Sequence, residues 1–422
     1  MQFNTVSVIG LGYIGLPTAA VFASRKIRVI GVDVNQNAVD TINRGEIHIV
    51  EPDLDMVVHA AVTEGYLRAT TLPEPADAFL IAVPTPFKGD NHEPDLSYIE
   101  AATKAIAPVL MPGNLVILES TSPVGTTEKI AQWLAEARPD LTFPQSQGEN
   151  SDIRIAHCPE RVLPGQVLHE LVRNDRVVGG MTPKCSALAC ALYKTFVQGE
   201  CVVTNARTAE MAKLTENSFR DVNIAFANEL SMICDKLDIN VWELISLANR
   251  HPRVNILQPG PGVGGHCIAV DPWFIVHSAP SESKLIETAR RVNDGKKEWV
   301  SKDIIRTIKV YLKTKKINDH KKITISFLGI TFKPNIDDLR ESPPLEIIKK
   351  VSENFDGTIK VVDPNISNEK NPFNTSTLTD AIKNSDIIIE LVNHREFSEI
   401  ITKPQTKFKS YCRHINKINE KK

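Results

Sequence analysis

Cys267 lies in Pro259-Gly260-Pro261-Gly262-Val263-Gly264-Gly265-His266-Cys267-Ile268-Ala269-Val270-Asp271-Pro272, where four glycines and two prolines fill the eight residues up to His266. Such a backbone approaches a ligand closely, whereas a packing cysteine normally sits in an apolar run. Two readings are open: a nucleophile, or a small apolar residue in an ordinary Gly/Pro turn. A second group belongs to the same chemistry. Lys213, Asn217 and Arg220 recur at helical spacing and put a cation, an amide and a guanidinium on one helix face, without the acids of a solvated stripe. His266 adjoins the thiol, but neighbouring residues point apart in most backbones. A lysine or a helix N-terminus is therefore the expected activator of Cys267. Asp271-Pro272 also suits the first positions of a helix, so Asp271 has a structural reading beside a chemical one.

The elements that must position these groups begin with a dinucleotide turn. Val6-Ser7-Val8-Ile9 reads as a strand, Gly10-Leu11-Gly12-Tyr13-Ile14-Gly15 is a G-x-G-x-x-G, and a second strand, Arg28-Val29-Ile30-Gly31-Val32-Asp33, ends in an acid. Gly10 makes the turn, Gly12 admits a pyrophosphate, Gly15 lets helix pack on strand, and the helix N-terminus offers amide donors. A carboxylate at Asp33 accepts from ribose hydroxyls and repels a 2′-phosphate, so NAD is expected rather than NADP. Further strands at 78–83, 114–118, 154–157 and 176–179 complete a doubly wound sheet. Ligands in such folds bind at the carboxyl ends of the strands, where Val83-Pro84-Thr85-Pro86 and Glu119-Ser120-Thr121-Ser122-Pro123-Val124-Gly125-Thr126 offer hydroxyls.

The remaining chain continues the pattern. Helix is expected over about 206–249 and 282–313, the first long enough to pair with a copy of itself. A second Rossmann-like unit starts at Ile323-Thr324-Ile325-Ser326-Phe327-Leu328-Gly329-Ile330 and continues through Ile359-Lys360-Val361-Val362-Asp363 and Asp386-Ile387-Ile388-Ile389-Glu390-Leu391-Val392. Its turn, Gly329-Ile330-Thr331-Phe332-Lys333-Pro334-Asn335, lacks the later glycines, which argues against a second dinucleotide. A mononucleotide fits, with Lys333 and Arg340 as phosphate partners.

Composition is that of a large enzyme. The chain has 422 residues and a net charge of −2, so neither nucleic acid nor a membrane surface is an expected partner. No apolar run approaches a membrane span, and the first strand follows Met1 too closely for a signal peptide; the cytoplasm is the expected compartment. Seven scattered cysteines with no C-x-x-C pair indicate neither zinc nor a disulfide framework. Cys158, Cys185, Cys190, Cys201 and Cys234 read as core. Residues 401–422 carry Lys403, Lys407, Lys409, Arg413, Lys417, Lys421 and Lys422 against one acid, Glu420, and read as a solvated tail.

One NAD, one nucleotide-like ligand, a thiol and a helix-borne lysine together suggest oxidation past an aldehyde, through a thiohemiacetal and a hydrolysed thioester. The order of motifs, Gly10-Leu11-Gly12-Tyr13-Ile14-Gly15, Glu119-Ser120-Thr121, Cys158-Pro159-Glu160-Arg161, Lys213-Leu214-Thr215-Glu216-Asn217-Ser218-Phe219-Arg220, Gly264-Gly265-His266-Cys267 and Phe332-Lys333-Pro334, resembles the UDP-glucose/GDP-mannose dehydrogenase family over about residues 5–395. Within it, His266 and Asn249-Arg250-His251-Pro252-Arg253-Val254-Asn255 are similar to the branch acting on UDP-N-acetyl-D-mannosamine.

The resemblance implies an α/β fold of two Rossmann-like doubly wound domains joined by a long central helix. Its expected divisions are an NAD-binding domain at 1–205, a central dimerising region at 206–312 and a UDP-sugar-binding domain at 313–422. It implies two NAD-dependent oxidations at C6 of the UDP-sugar, serving a bacterial surface polysaccharide such as enterobacterial common antigen, in a homodimer. Carried over by residue, Cys267 is the nucleophile, Lys213 steadies oxyanions, Asn217 orients water or substrate, Asp271 acts as a base through water and Glu160 assists thioester hydrolysis. The sugar nucleotide is expected on Arg161, Val162, Lys213, Asn217, Arg220, Gly264, Phe332 and Lys333, with His251 and Arg253 from a dimer mate. NAD is expected on Gly10, Gly12, Tyr13, Ile14, Gly15, Asp33, Thr85, Thr121, Thr126 and Arg340. Relatives end on a strand with an Asp and a nearby Lys/Arg-Gly, from which Lys407-Phe408-Lys409-Ser410-Tyr411-Cys412-Arg413 departs. A UDP-glucose or UDP-N-acetylglucosamine dehydrogenase, a β-hydroxyacid dehydrogenase and a non-catalytic NAD- and UDP-sugar-binding protein remain as alternatives.

Overall fold

A computed structural model describes residues 3–89, 91–162, 165–317, 319–398 and 406–413. The chain divides into two compact units, Met1–Glu216 with Trp273–Ser278, and Asn217–Pro272 with Ala279–Lys422.

The first unit is built from β1 (Thr5–Ile9), β2 (Arg28–Val32), β3 (Leu67–Thr70), β4 (Ala78–Ile81), a small hairpin of β5 (Phe87–Lys88) and β6 (Glu93–Pro94), β7 (Leu115–Leu118), β8 (Arg154–His157), β9 (Arg176–Gly180) and β10 (Cys201–Asn205). The eight-stranded sheet runs β10-β9-β8-β7-β4-β1-β2-β3. All its pairs are parallel except β8 with β9, where Ala156 faces Gly180 and His157 faces Gly179. Strands such as Leu115–Leu118 are apolar without alternation because helices cover both sheet faces. Order reverses between β1 and β4, and there the dinucleotide turn leaves the sheet.

Two 32-residue helices follow: a central helix, Ala206–Leu237, and a second long helix, Lys284–Lys315. The division between units falls inside the central helix, after Glu216. Before it, Glu210 accepts from the backbone N–H groups of Gly125 and Thr127, at 2.6 and 2.7 Å, anchoring the helix start to the first sheet. Beyond it, a buried polar chain joins the two helices: Arg290 donates to Asp221 at 2.6 Å, Asn293 to Asp221 at 2.8 Å, and Asn228 to Asn293 at 2.9 Å. The chain ends where Asn228 Oδ1 accepts from the Gly260 N–H at 2.9 Å, at the root of the Cys267 loop.

The second unit also holds β11 (Thr324–Leu328), β12 (Thr358–Val362), β13 (Ile387–Glu390) and β14 (Lys407–Ser410), ordered β12-β11-β13-β14 and parallel throughout. β14 corrects the reading of the basic C-terminus as a solvated tail. Its cations have acids to meet: Lys409 pairs with Asp303 of the second long helix, Tyr411 donates to the same carboxylate at 2.6 Å, and Arg413 lies 2.8 Å from buried Glu390. The final strand therefore forms despite its departure from the family pattern. Lys403, Lys417, Glu420, Lys421 and Lys422 lie outside the described residues.

Candidate functional site

In the first unit the turn after β1 has the shape a dinucleotide requires. Gly10 sits at φ +92°, and a Cβ there would press on the Ala82 carbonyl oxygen at 2.6 Å. A Cβ on Gly15 would overlap the Gly10 carbonyl oxygen, whereas one on Gly12 would meet nothing within 4 Å. The open side of Gly12 is the side a pyrophosphate would approach. Asp33, after β2, accepts from the Leu11 and Asn35 N–H groups, both at 2.9 Å, and stays partly exposed, as do Tyr13 and Ile14 of the turn. These residues fit NAD.

The two loops at the carboxyl ends of β4 and β7 are fastened together. Thr85 donates to the Thr121 carbonyl at 2.6 Å, and Ser120 to the Val83 carbonyl at 2.7 Å. Thr126 is buried and donates to the Pro123 carbonyl at 2.6 Å, closing the turn before helix Thr126–Ala137.

Beneath these loops lies a buried charge cluster that sequence reasoning only partly found. Glu160 is 8% exposed, accepts from the Arg161 N–H at 2.7 Å, and has its Oε2 2.8 Å from the guanidinium of Arg176, an ion contact rather than an aligned hydrogen bond. Arg176 opens β9, lies over the Tyr193 ring at 4.9 Å, and is 3% exposed. Tyr193 donates to Glu119 at 2.7 Å. Two carboxylates thus share one cation out of water. Burial pushes the Glu119 carboxyl up to about 7, outweighing Arg176, and the Glu160 charge adds to the rise. Burial likewise pushes the Cys158 thiol up to about 12, which suits a packing residue. A charge at the start of the apolar run Arg176-Val177-Val178 was the available signal for Arg176. Arg161 itself pairs with Glu216 of the central helix at 2.7 Å, Val162 packs against the core, and Lys213 is half-buried one turn before Asn217.

The second unit brings the other expected residues together. Cys267 is exposed, in the turn before helix Asp271–Ser278, and its carbonyl accepts from the Val270 and Asp271 N–H groups at 3.0 and 2.8 Å. All seven cysteines are thiols; Cys158, Cys185 and Cys234 are buried as expected, but Cys190 and Cys201 are only partly so. Asn217 donates to Asp271 at 2.5 Å, with 5% and 3% of each residue exposed. The amide and carboxylate are therefore a matched pair holding the end of the Cys267 turn to the central helix.

Gly264 and Gly265 of the loop serve packing within the protein. A Cβ on Gly264 would overlap the Glu341 carbonyl oxygen and meet Phe332 at 2.8 Å; one on Gly265, at φ +82°, would meet the Phe332 ring at 2.8 Å. Gly264, Phe332 and the thiol loop are thus adjacent. Lys333 is half-buried beside Phe332. Arg340 grips Asp338 in a two-toothed pair, with Nη2 2.6 Å from Oδ2. Arg220, His251 and Arg253 are exposed.

A dinucleotide turn at a sheet reversal, an exposed thiol on a glycine loop and a second Rossmann-like sheet define an NAD-dependent dehydrogenase of the nucleotide-sugar class. The chain belongs to the UDP-glucose/GDP-mannose dehydrogenase family: its NAD binding domain matches residues 4–197, its central domain 207–295 and its UDP binding domain 326–414. The chain is 65% identical to the UDP-N-acetyl-D-mannosamine dehydrogenase of Campylobacter jejuni, over 97% of this chain and 100% of that one. It is 63% identical to the NDP-N-acetyl-D-galactosaminuronic acid dehydrogenase of Ralstonia nicotianae, over 95% and 93%. The solved UDP-D-ManNAc dehydrogenase of Pyrococcus horikoshii superposes with a TM-score of 0.84 at 38% identity, covering 94% of this chain and 91% of that one. Among the described residues no helix is long and apolar enough to cross a membrane.

Proposed function

We propose that this chain oxidises UDP-N-acetyl-D-mannosamine at C6 to UDP-N-acetyl-D-mannosaminuronate, removing four electrons with two NAD per sugar. The observation that carries the reading is the exposed Cys267 on a loop packed against Phe332, in a chain 65% identical to a UDP-N-acetyl-D-mannosamine dehydrogenase. The parts proposed are residues 1–205 for NAD, 206–312 for dimerisation and the thiol, and 313–422 for the UDP-sugar. The product is proposed to enter a bacterial surface polysaccharide such as enterobacterial common antigen, made in the cytoplasm.

NAD, when bound, accepts hydride from C6. The protein supplies the rest. The Cys267 sulfur bonds to the C6 aldehyde carbon, the carbonyl electron pair passes to oxygen, and Lys213 and Asn217 stabilise that oxygen. After the second oxidation the carbon is a thioester. Water adds to it, the carbon–sulfur bond breaks, and the thiolate is restored with a free carboxylate. Asp271, working through water, and Glu160 are the proposed bases; loss of the thioester makes the sequence irreversible. Gly10, Gly12, Tyr13, Ile14, Gly15, Asp33, Thr85, Thr121, Thr126 and Arg340 are proposed for NAD. Arg161, Val162, Arg220, Gly264, Phe332 and Lys333 are proposed for the UDP-sugar, with His251 and Arg253 serving the partner's site.

The similarity to the Ralstonia protein supports a second reading, in which the sugar is an N-acetylgalactosamine. A panel of UDP-sugars assayed with NAD decides between them, with NADH counted per sugar. Two NADH from UDP-N-acetylmannosamine are expected, and Cys267→Ser should lower product uronate by at least about 10³-fold, the loss typical for a covalent catalyst acting as part of a unit. An inert UDP-N-acetylmannosamine, or intact uronate production by that variant, overturns the proposal.

A further inference from the structure

The two units contain the same turn but use its carboxylate differently. In the first, Gly10 N–H donates to the Val32 carbonyl at 2.7 Å, while Leu11 and Asn35 N–H donate to Asp33 at 2.9 Å. In the second, Gly329 N–H donates to Val362 at 2.8 Å, while Ile330 and Asn365 N–H donate to Asp363 at 2.8 and 2.9 Å. Asp33 keeps an exposed face. Asp363 does not: its side chain and that of His394, 3.1 Å away, are both 0% exposed. The carboxylate that a dinucleotide would use is occupied from within.

His394 follows β13, and its hydrogen bonds define its state. The Asn335 N–H lies 3.0 Å from Nδ1 and can only donate, so Nδ1 is the unprotonated acceptor; it also faces Asn365 Nδ2 at 2.8 Å. Nε2 therefore carries the hydrogen, shared between Asp363 Oδ2 at 3.1 Å and Thr331 Oγ1 at 3.3 Å. The Thr331 hydroxyl then donates to the Lys333 carbonyl at 2.9 Å. Arg395 adds an N–H bond to Asn335 Oδ1 at 2.9 Å, and Asn335 is held at φ +60°. One neutral imidazole thus fastens Thr331, Lys333 and Asn335.

That loop needs fastening. After Gly10 the chain enters a helix at Gly15, whose first turn orders the loop, but after Gly329 no helix begins until Pro343. Phe332 and Lys333 lie in this stretch outside any helix.

We propose that His394 is a positioning residue for nucleotide-sugar binding: it shapes the Thr331–Asn335 loop so that Phe332 and Lys333 meet the nucleotide, using as its support the carboxylate that the N-terminal turn leaves for NAD. This rests on the reading that Phe332 and Lys333 hold the UDP moiety.

The test uses the full chain, with calorimetric binding of UDP and of NAD and steady-state KM and kcat. His394→Asn puts an amide oxygen near the position of Nδ1 and keeps an acceptor for Asn335. His394→Gln puts an amide nitrogen near the position of Nε2, keeps Asp363 and leaves the Asn335 N–H without its acceptor. His394→Gln should weaken UDP binding and raise KM for UDP-N-acetylmannosamine by about tenfold or more, with NAD affinity and kcat within about twofold; His394→Asn should change UDP binding by less than about threefold. Equal effects of the two variants on UDP, or none from either while Lys333→Ala weakens it, overturn the inference. Unchanged UDP binding in Lys333→Ala instead overturns the reading beneath it. If His394→Gln does not fold, the near-isosteric Thr331→Val decides: weaker UDP binding with unaltered NAD binding supports the inference, and unaltered UDP binding overturns it.

Discussion

At the scale of single residues, Glu119 of the first unit is a carboxyl held far above its ordinary range. Out of water, beside Glu160 and with Arg176 as the nearby guanidinium, it holds its proton to about pH 7, against an ordinary 4.5. The folded chain thus binds more protons at this group than the unfolded chain between those values, and stability falls as pH rises through that window. Glu119→Gln keeps an acceptor for Tyr193 and removes the titration. The variant should match the parent near pH 4.5 and exceed it above pH 7 by up to roughly 3 kcal/mol. Thermal denaturation from pH 4.5 to 8 checks this, and parallel pH profiles for parent and variant would refute it. Arg176 is what makes the pair of acids tolerable. A buried charge that loses its partner costs far more than the pair contributes, so this cluster is a constraint on Glu160 before it is a source of stability.

Among the elements, the loop from Pro259 to Pro272 is set by its neighbours on both sides. Asn228 holds it at Gly260 and Asn217 holds Asp271 at its far end. Between them Gly264 and Gly265 press against Phe332, Glu341 and Pro343. Gly264→Ala would have to displace backbone rather than a flexible side-chain end. It should lower stability by about 1–3 kcal/mol, the usual cost of overpacking, and reduce kcat/KM more than the Tm change explains, because Cys267 lies three residues on. Denaturant unfolding together with steady-state kinetics measures both, and wild-type kcat/KM would refute the coupling. β14 shows the same dependence on neighbours. Lys409 and Tyr411 meet Asp303, and Arg413 meets Glu390, so residues that look like a solvated tail become an edge strand.

For the whole molecule, the central helix carries Phe219, Phe226, Ile233 and Leu237 at 68, 53, 44 and 60% exposure. Their spacing of seven, seven and four residues lines them along one face, and a row of that size marks an interface. The proposed partner is a second copy of this chain. Phe226→Glu should convert a dimer to a monomer at micromolar concentration by light scattering, and activity should fall with it if His251 and Arg253 serve the partner's site. A dimer that persists in the variant argues against this face.

The α/β class, the doubly wound sheet, the NAD turn and the second long helix were legible in the chain, whereas the helix expected over 206–249 breaks after Leu237 and resumes at Val241–Ala248. Each rests on local rules: side-chain periodicity, the conformational freedom of Gly10, the spacing to Asp33. The tertiary structure decided what depends on residues distant in sequence. Arg176 came to Glu160, His394 came to the 331–335 loop, and Asp303 gave the basic C-terminus a strand. The glycines beside Cys267 belong to the same lesson. Sequence marked them as places where backbone comes close to something, and only packing showed that the something is Phe332. Burial and charge pairing arise between segments sixteen to more than a hundred residues apart, and a one-dimensional pattern records that each charge exists without recording which opposite charge folding will bring to it.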